Sequence, residues 1–218
     1  KMDKAMHLNG LGEQLRKKYE LISKKSRNCI VVCGPSGVGK TMAINHMVNA
    51  YGYKSIPFIT TRELRHEELE TDSKSVGYHR FMSMRLRNEV FLFAQNYGNS
   101  YGYGIENVFT ELVKGEIVIL ETPAAQLLTD VRILLPHALV LGFVTFDHSL
   151  SVKSLNRRDN AVGIVAKLRG LQCSIESFNV QAACERMVIN VITPKYGKPQ
   201  RTVDQIDAAI KSHNAFNT

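Results

Sequence analysis

Residues 34–41, Gly34-Pro35-Ser36-Gly37-Val38-Gly39-Lys40-Thr41, fit the pattern G-x-x-x-x-G-K-[ST] and follow five apolar residues, Cys29-Ile30-Val31-Val32-Cys33. A short apolar run closed by glycine suits a strand buried on both faces. A helical pattern, Met42 to Ala50, comes next. Strand, glycine-rich turn and helix in that order point to an α/β chain that cradles phosphate. Glycines let successive backbone N–H groups converge where a Cβ would collide. The helix starting near Lys40 adds unpaired N–H groups and its positive dipole end. Gly34, Ser36, Gly37, Val38, Gly39, Lys40 and Thr41 are therefore the candidate ATP phosphate-binding residues. Lys40 can reach the β- and γ-phosphates, and Thr41 offers its hydroxyl to Mg²⁺ as the candidate metal ligand. ATP with Mg²⁺ is the expected ligand.

At 218 residues the chain is the size of one domain, or of one core with small insertions. With 44% hydrophobic and 22% charged residues, disorder and collagen-like repeats are excluded. A chain this long needs no disulfide or structural metal to fold, and Cys29, Cys33, Cys173 and Cys184 form no C-x-x-C pair. Buried, reduced thiols in a cytoplasmic protein are expected. The longest apolar stretch, Ala138 to Phe146, falls far short of the ~20 residues that cross a bilayer, so no membrane partner is expected. The basic N-terminus has no apolar stretch behind it, unlike a secretory signal. The chain starts at Lys rather than Met, so a segment upstream is expected to have been trimmed or left out, which leaves targeting open.

The net charge of +8 is unevenly spread. Residues 1–28 hold eight Lys and Arg against three acids, and the remainder holds 20 against 17. Most of the excess sits on a basic helical extension over residues 1–27, where Leu11, Leu15, Tyr19 and Ile22 recur at spacings near four. The near-neutral remainder suits an enzyme for an anionic small molecule as well as it suits nucleic acid. No aromatic-interleaved basic patch supports a nucleic-acid partner.

Downstream, Ile56 to Thr60 reads as a second strand, and residues 60–104, rich in charge, Gly and Tyr, as a small inserted subdomain. Asn107 to Lys114 is helical and stops at Gly115. Ile117 to Leu120 is a buried strand ending at Glu121, and Pro123 is placed to open a helix running to about Leu134. A strand over Ala138 to Phe146, a helix from about Ser149 to Asn156 and a polar stretch from Arg157 to Gly163 follow. The pattern closes with a helix from near Ile164, a strand over Met187 to Ile192 and a helix over Val203 to Lys211. This alternation predicts a parallel sheet covered by helices on both faces, with the ligand at the strands' C-terminal ends.

Thr60-Thr61-Arg62-Glu63-Leu64-Arg65-His66-Glu67-Glu68 resembles the T-T-R-x-x-R-x-x-E segment of guanylate kinases, and Gly98-Asn99-Ser100-Tyr101-Gly102 their G-N-Y-Y-G segment. With the phosphate loop, the resemblance runs from about Cys29 to Asn190. It implies a P-loop NTPase fold over residues 28–213, with an acceptor-binding insertion at 60–104, a lid at 153–167 and a tail at 214–218. It further implies an ATP-dependent phosphotransferase acting on a nucleoside monophosphate, GMP or dGMP first. Arg62, Arg65, Tyr78 and Tyr101 would grip the acceptor phosphate, in a set that includes Thr60; Glu68 would contact the base. Glu121 would hold Mg²⁺ through water or contact the acceptor sugar. Lys40 and the lid's Arg157, Arg158 and Lys167 would be catalytic, and Asn190 would lie near the adenine. The chemistry agrees, because arginine's planar fork binds phosphate oxygens bidentately and tyrosine hydroxyls add neutral donors.

The resemblance breaks where guanine is read. Aligned through Ala94-Gln95, the family's guanine-binding glutamate falls on Leu92, its following Ser/Thr on Tyr103, and the second acid of its D-x-D on Pro123. An unpaired buried donor costs about 1–3 kcal/mol, so losing the acid and the hydroxyl together should weaken guanine selection by orders of magnitude. Tyr101 to Glu106 also looks like the Y-G-V-G-V-E stretch of ribose 1,5-bisphosphate phosphokinases, which read no base. A kinase of a phosphorylated sugar is therefore an alternative. A non-catalytic guanylate-kinase-like binding domain is a further one, although such domains typically lose the loop lysine that is present here as Lys40.

Overall fold

The computed structural model describes residues 11–64, 73–96, 98–122, 127–144, 152–153, 156, 163–186, 190–192 and 198–215. The expected helix over 149–156 and the polar stretch over 157–163 lie largely outside the described residues, as does Pro123, while Gly163 already opens a helix. The buried strand at 29–33 appears as read, β1 (Cys29–Cys33), with all five residues buried. β2 (Lys54–Ser55), β7 (Val118–Thr122), β8 (Leu139–Phe143) and β9 (Asn190–Ile192) complete a five-stranded sheet of order β2-β7-β1-β8-β9. The β2–β7 and β8–β9 ladders are parallel, in registers such as Ser55↔Ile119 and Phe143↔Ile192. A second sheet has order β4-β3-β6-β5, from β3 (Phe58–Thr60), β4 (Ser73–Ser75), β5 (Val90–Asn96) and β6 (Asn99–Gly104).

The single strand expected over 56–60 is thus two strands in different sheets. Pro57 divides them, since it has no N–H to give a ladder. Ile56 still donates to the Ile119 carbonyl at 3.1 Å, the last such bond before the chain leaves for β3.

The chain folds as two compact units, residues 1–30, 53–120 and 127–138, and residues 31–52, 121–126 and 139–218. In the first, α1 (Glu13–Lys24) is amphipathic, with Ile22 buried and Glu13–Lys17 and Arg16–Glu20 pairs on its wet side. It packs on α4 (Ile105–Lys114): Lys18 binds Glu106 and lies over the Phe109 ring at 5.6 Å. The basic helix is therefore bound into this unit. Gly115 takes the left-handed conformation (φ 87°) that closes α4 where glycine is preferred. α3 (Tyr78–Leu86) lies against the second sheet through Phe81, which is buried with Ile59, Val76 and Val90. α5 (Leu127–Leu134) buries Leu128 and Val131.

The second unit holds α2 (Lys40–Tyr51), β8, β9, α6 (Gly163–Arg186) and α7 (Pro199–Ala215). α7 starts earlier than Val203 because Pro199 is favoured in a helix's first turn. α2 and α7 are joined by His46 Nε2 and Asp207 Oδ1, 2.8 Å apart. Burial pushes the Asp207 carboxyl up, but hydrogen bonds from His46 and Tyr51 and the charges of His46 and Lys211 outweigh it, so it sits below the ordinary 3.8. A carboxylate whose acidity is increased by folding contributes stability above its unfolded value and loses it as pH falls through the folded one. Urea titrations should find wild type more stable than Asp207→Asn by about 0.5–1 kcal/mol near neutrality, with the difference disappearing as the pH drops below the aspartate range. Among the described residues no helix is long and apolar enough to cross a membrane.

Candidate functional site

The glycine-rich turn joins β1 to α2, all within the second unit from Val31 onward. Gly37 and Gly39 have φ of 77° and 101°, left-handed values that L residues with a Cβ rarely adopt. Gly34 is required for a different reason. A Cβ there would meet Phe143 Cβ at 2.7 Å and the Phe143 carbonyl at 2.9 Å, so only hydrogen lets the turn lie this close to β8. Gly39 caps α2, whose first intrahelical bond is Ala43 N–H to Gly39 O at 3.2 Å. The N–H groups of Lys40, Thr41 and Met42 consequently have no acceptor within the helix and are available to an anion.

Lys40 is only 7% exposed, and its Nζ donates to the carbonyls of Gly34 (2.9 Å) and Pro35 (2.8 Å). Glu121 Oε1, at the C-terminal end of β7, lies 3.4 Å from the same nitrogen. Glu121 is half-buried, Val38 buried and Thr41 exposed. One buried cation, one carboxylate, one hydroxyl and a row of amides therefore meet at one turn. Ser36 is committed otherwise: its N–H donates to Glu176 Oε2 at 3.3 Å.

Of the residues expected to hold the acceptor phosphate, Thr60, Arg62, Tyr78 and Tyr101 lie in the first unit. Thr60, fully buried at the end of β3, accepts from the Arg62 N–H at 3.1 Å and faces Tyr101 across the ladder. Thr61 and Ser100 exchange two bonds, Thr61 N–H to Ser100 O at 3.0 Å and Ser100 N–H to Thr61 Oγ1 at 2.9 Å. These bonds bring Thr60, Arg62 and Tyr101 together. The Arg62 guanidinium donates to the Glu63 carbonyl at 2.8 Å, and the Tyr101 ring lies 5.8 Å from Phe58. Tyr78 opens α3 and is 56% exposed. Arg65, Glu68, Arg157 and Arg158 lie outside the described residues; Lys167 falls on α6, and Asn190 pairs with Leu141 on β9.

Leu92 and Tyr103 are buried, 5% and 3% exposed. Leu92 has φ 51° in the bulge where β5 shifts register between Phe91 and Ala94, and Tyr103 stands next to it on β6 opposite Phe91. The two positions that the resemblance aligns with guanine reading thus hold a leucine and a tyrosine ring packed into the protein.

The family model described as Guanylate kinase matches residues 26–168. The chain belongs to the guanylate kinase family. Among curated relatives, a guanylate kinase of Prochlorococcus marinus is 33% identical over 100 residues, covering 45% of this chain and 54% of that protein. One from Malacoplasma penetrans is 31% identical over 100 residues, covering 44% and 51%. The chain spans about half the length of the curated relatives it matches. The crystal structure of guanylate kinase from Anaplasma phagocytophilum superposes with a TM-score of 0.59 at 20% identity, covering 84% of each chain, which establishes the shared fold.

Cys173 and Glu176 escaped sequence reasoning. Cys173 Sγ lies 3.8 Å from the Ser36 carbonyl. Only their spacing, one turn apart on a helix, was visible in the sequence, and nothing local aims that face at the phosphate turn.

Proposed function

We propose that this chain is an ATP-dependent phosphotransferase that moves the γ-phosphate of ATP to a nucleoside monophosphate, with GMP or dGMP the first acceptors to test. The observation that carries the reading is Lys40, buried at the mouth of a turn built on left-handed glycines and continuous with an open helix N-terminus. Such a turn fits a polyphosphate, and Lys40 supplies the positive charge that a moving phosphoryl group needs. The exposed Thr41 hydroxyl and the Glu121 carboxylate are oxygen donors of the kind Mg²⁺ takes, Glu121 through water. Bound Mg²⁺ would neutralise charge on the β- and γ-oxygens. Arg62, Arg65, Tyr78 and Tyr101 would hold the acceptor phosphate, with Thr60 fixing the main chain before Arg62. Arg157, Arg158 and Lys167 would bring further charge to the transferring group; Asn190 would meet the adenine and Glu68 the acceptor base. The buried thiols of Cys29, Cys33 and Cys173 suit a reducing compartment, and we place the protein in the cytoplasm.

A second reading is favoured by Leu92 and Tyr103. Both are buried and neither carries the carboxylate that the resemblance expects for guanine, so they suit an acceptor with no base, such as ribose 1,5-bisphosphate. A coupled assay of ADP release over GMP, dGMP, AMP, IMP, UMP and ribose 1,5-bisphosphate separates the cases. Turnover with a nucleotide supports the first reading, and turnover with the sugar alone supports the second. Tight ATP binding with no turnover on any of them would leave a binding domain. On whichever acceptor reacts, Arg62→Ala should raise KM roughly 10–100-fold, the worth of a charged hydrogen bond, while ATP affinity stays within about twofold. Equal loss of ATP affinity would remove Arg62 from the acceptor set.

A further inference from the structure

Both main-chain groups of Ser36 end on α6. The N–H donates to Glu176 Oε2 at 3.3 Å, and the Cys173 thiol reaches the carbonyl, Sγ to O 3.8 Å. Three residues apart on a helix, these side chains share a face. Cys173 is 2% exposed and Glu176 half-buried. Lys40 Nζ already occupies the carbonyls of Gly34 and Pro35.

A peptide unit is planar, with its C=O and N–H pointing in opposite directions, so holding one end fixes the other. The unit between Pro35 and Ser36 is held at both ends, its oxygen by Lys40 and its N–H by Glu176. The next unit is held at its oxygen by Cys173, which sets where the Gly37 N–H points. The carbonyls of residues 34, 35 and 36, which would repel an anion, each have a donor within the unit.

We propose that Glu176, with Cys173 one turn before it, is a positioning residue for the phosphate turn, holding the peptide planes around Ser36 so that the N–H groups from Gly37 onward face the donor phosphates. The assignment rests on the ATP reading above. Glu176 contributes its hydrogen-bond acceptor; its negative charge opposes an anion bound nearby. Removing the acceptor and removing the charge therefore have opposite consequences.

The test is calorimetric titration of ATP into the full chain as wild type, E176A, E176Q and E176D, with nucleotide-free melting curves and the acceptor KM for each. E176A should bind ATP about tenfold more weakly with the acceptor KM within about twofold. E176Q keeps an acceptor oxygen without the charge and should bind ATP at least as tightly as wild type. E176D keeps the charge on a stem one methylene shorter and should behave like E176A, so the test stands even if E176A fails to fold. Wild-type affinity in both E176A and E176D, or an E176Q as weak as E176A, overturns the assignment alone. A wild type that does not bind ATP overturns the reading of the turn itself, and this assignment with it.

Discussion

Lys40→Ala is expected to lower kcat for ATP-dependent phosphoryl transfer by a factor of about 10²–10³, the cost of removing one preorganised charge from a developing anion. The native side chain is positioned in advance: its Nζ is held by the Gly34 and Pro35 carbonyls and stands 3.4 Å from Glu121, so little reorganisation is left for the moment of reaction. The alanine variant also leaves those carbonyls without their donor, and part of any loss would come from a slackened turn. Lys40→Met separates the two effects, because it keeps most of the buried stem and removes only the charge. ADP release measured under saturating ATP should fall to a similar extent in both variants, with melting temperatures closer to wild type for methionine. Turnover surviving in the methionine variant would exclude Lys40 from the chemistry.

Gly34→Ala should be the most damaging single methyl in the phosphate turn. The added carbon would stand 2.7 Å from Phe143 Cβ and 2.9 Å from the Phe143 carbonyl, with Val38 Cγ1 at 3.3 Å. Two of these three neighbours cannot rotate away, since one is backbone and the other a Cβ fixed to the buried strand β8. Relief therefore requires β8 or the turn to move, at about 2–4 kcal/mol. Urea unfolding should show the midpoint shifted by that amount, and ATP binding should weaken because the turn no longer holds its shape. Gly12→Ala, where nothing lies within 4 Å of the new carbon, is the control: it should leave ATP binding unchanged and cost the fold only about 0.5–1 kcal/mol, the worth of glycine over alanine at the N-cap of α1.

The sequence made the phosphate turn legible because its geometry depends on residue type at fixed offsets: left-handed glycines, a lysine at the helix start and an apolar strand before them. The β1 run, the glycine stop of α4 and the start of α6 were readable for the same local reason. The split at Pro57 was readable in principle, since a residue without an N–H interrupts a ladder, yet the apolar residues around it suggested continuity. Nothing local announces the Leu92 bulge. Val90 to Ala94 is an unbroken apolar run, and a left-handed leucine is stabilised only by the packing of its surroundings. The Glu176–Ser36 bond, 140 residues apart in the chain, is a purely tertiary fact. For the proposed acceptor residues, Thr60 and Tyr101 are set opposite one another by antiparallel pairing that a linear motif does not specify.

Burial of β1 has a practical consequence. The Cys29 thiol is fully enclosed and pushed up to about 12, so almost none of it is thiolate at neutral pH. Alkylating reagents should find it only when the strand comes out of its sheet. Mass spectrometry of Cys29 modification against time would then serve as a built-in clock for opening of the central strand, with no added dye or tag.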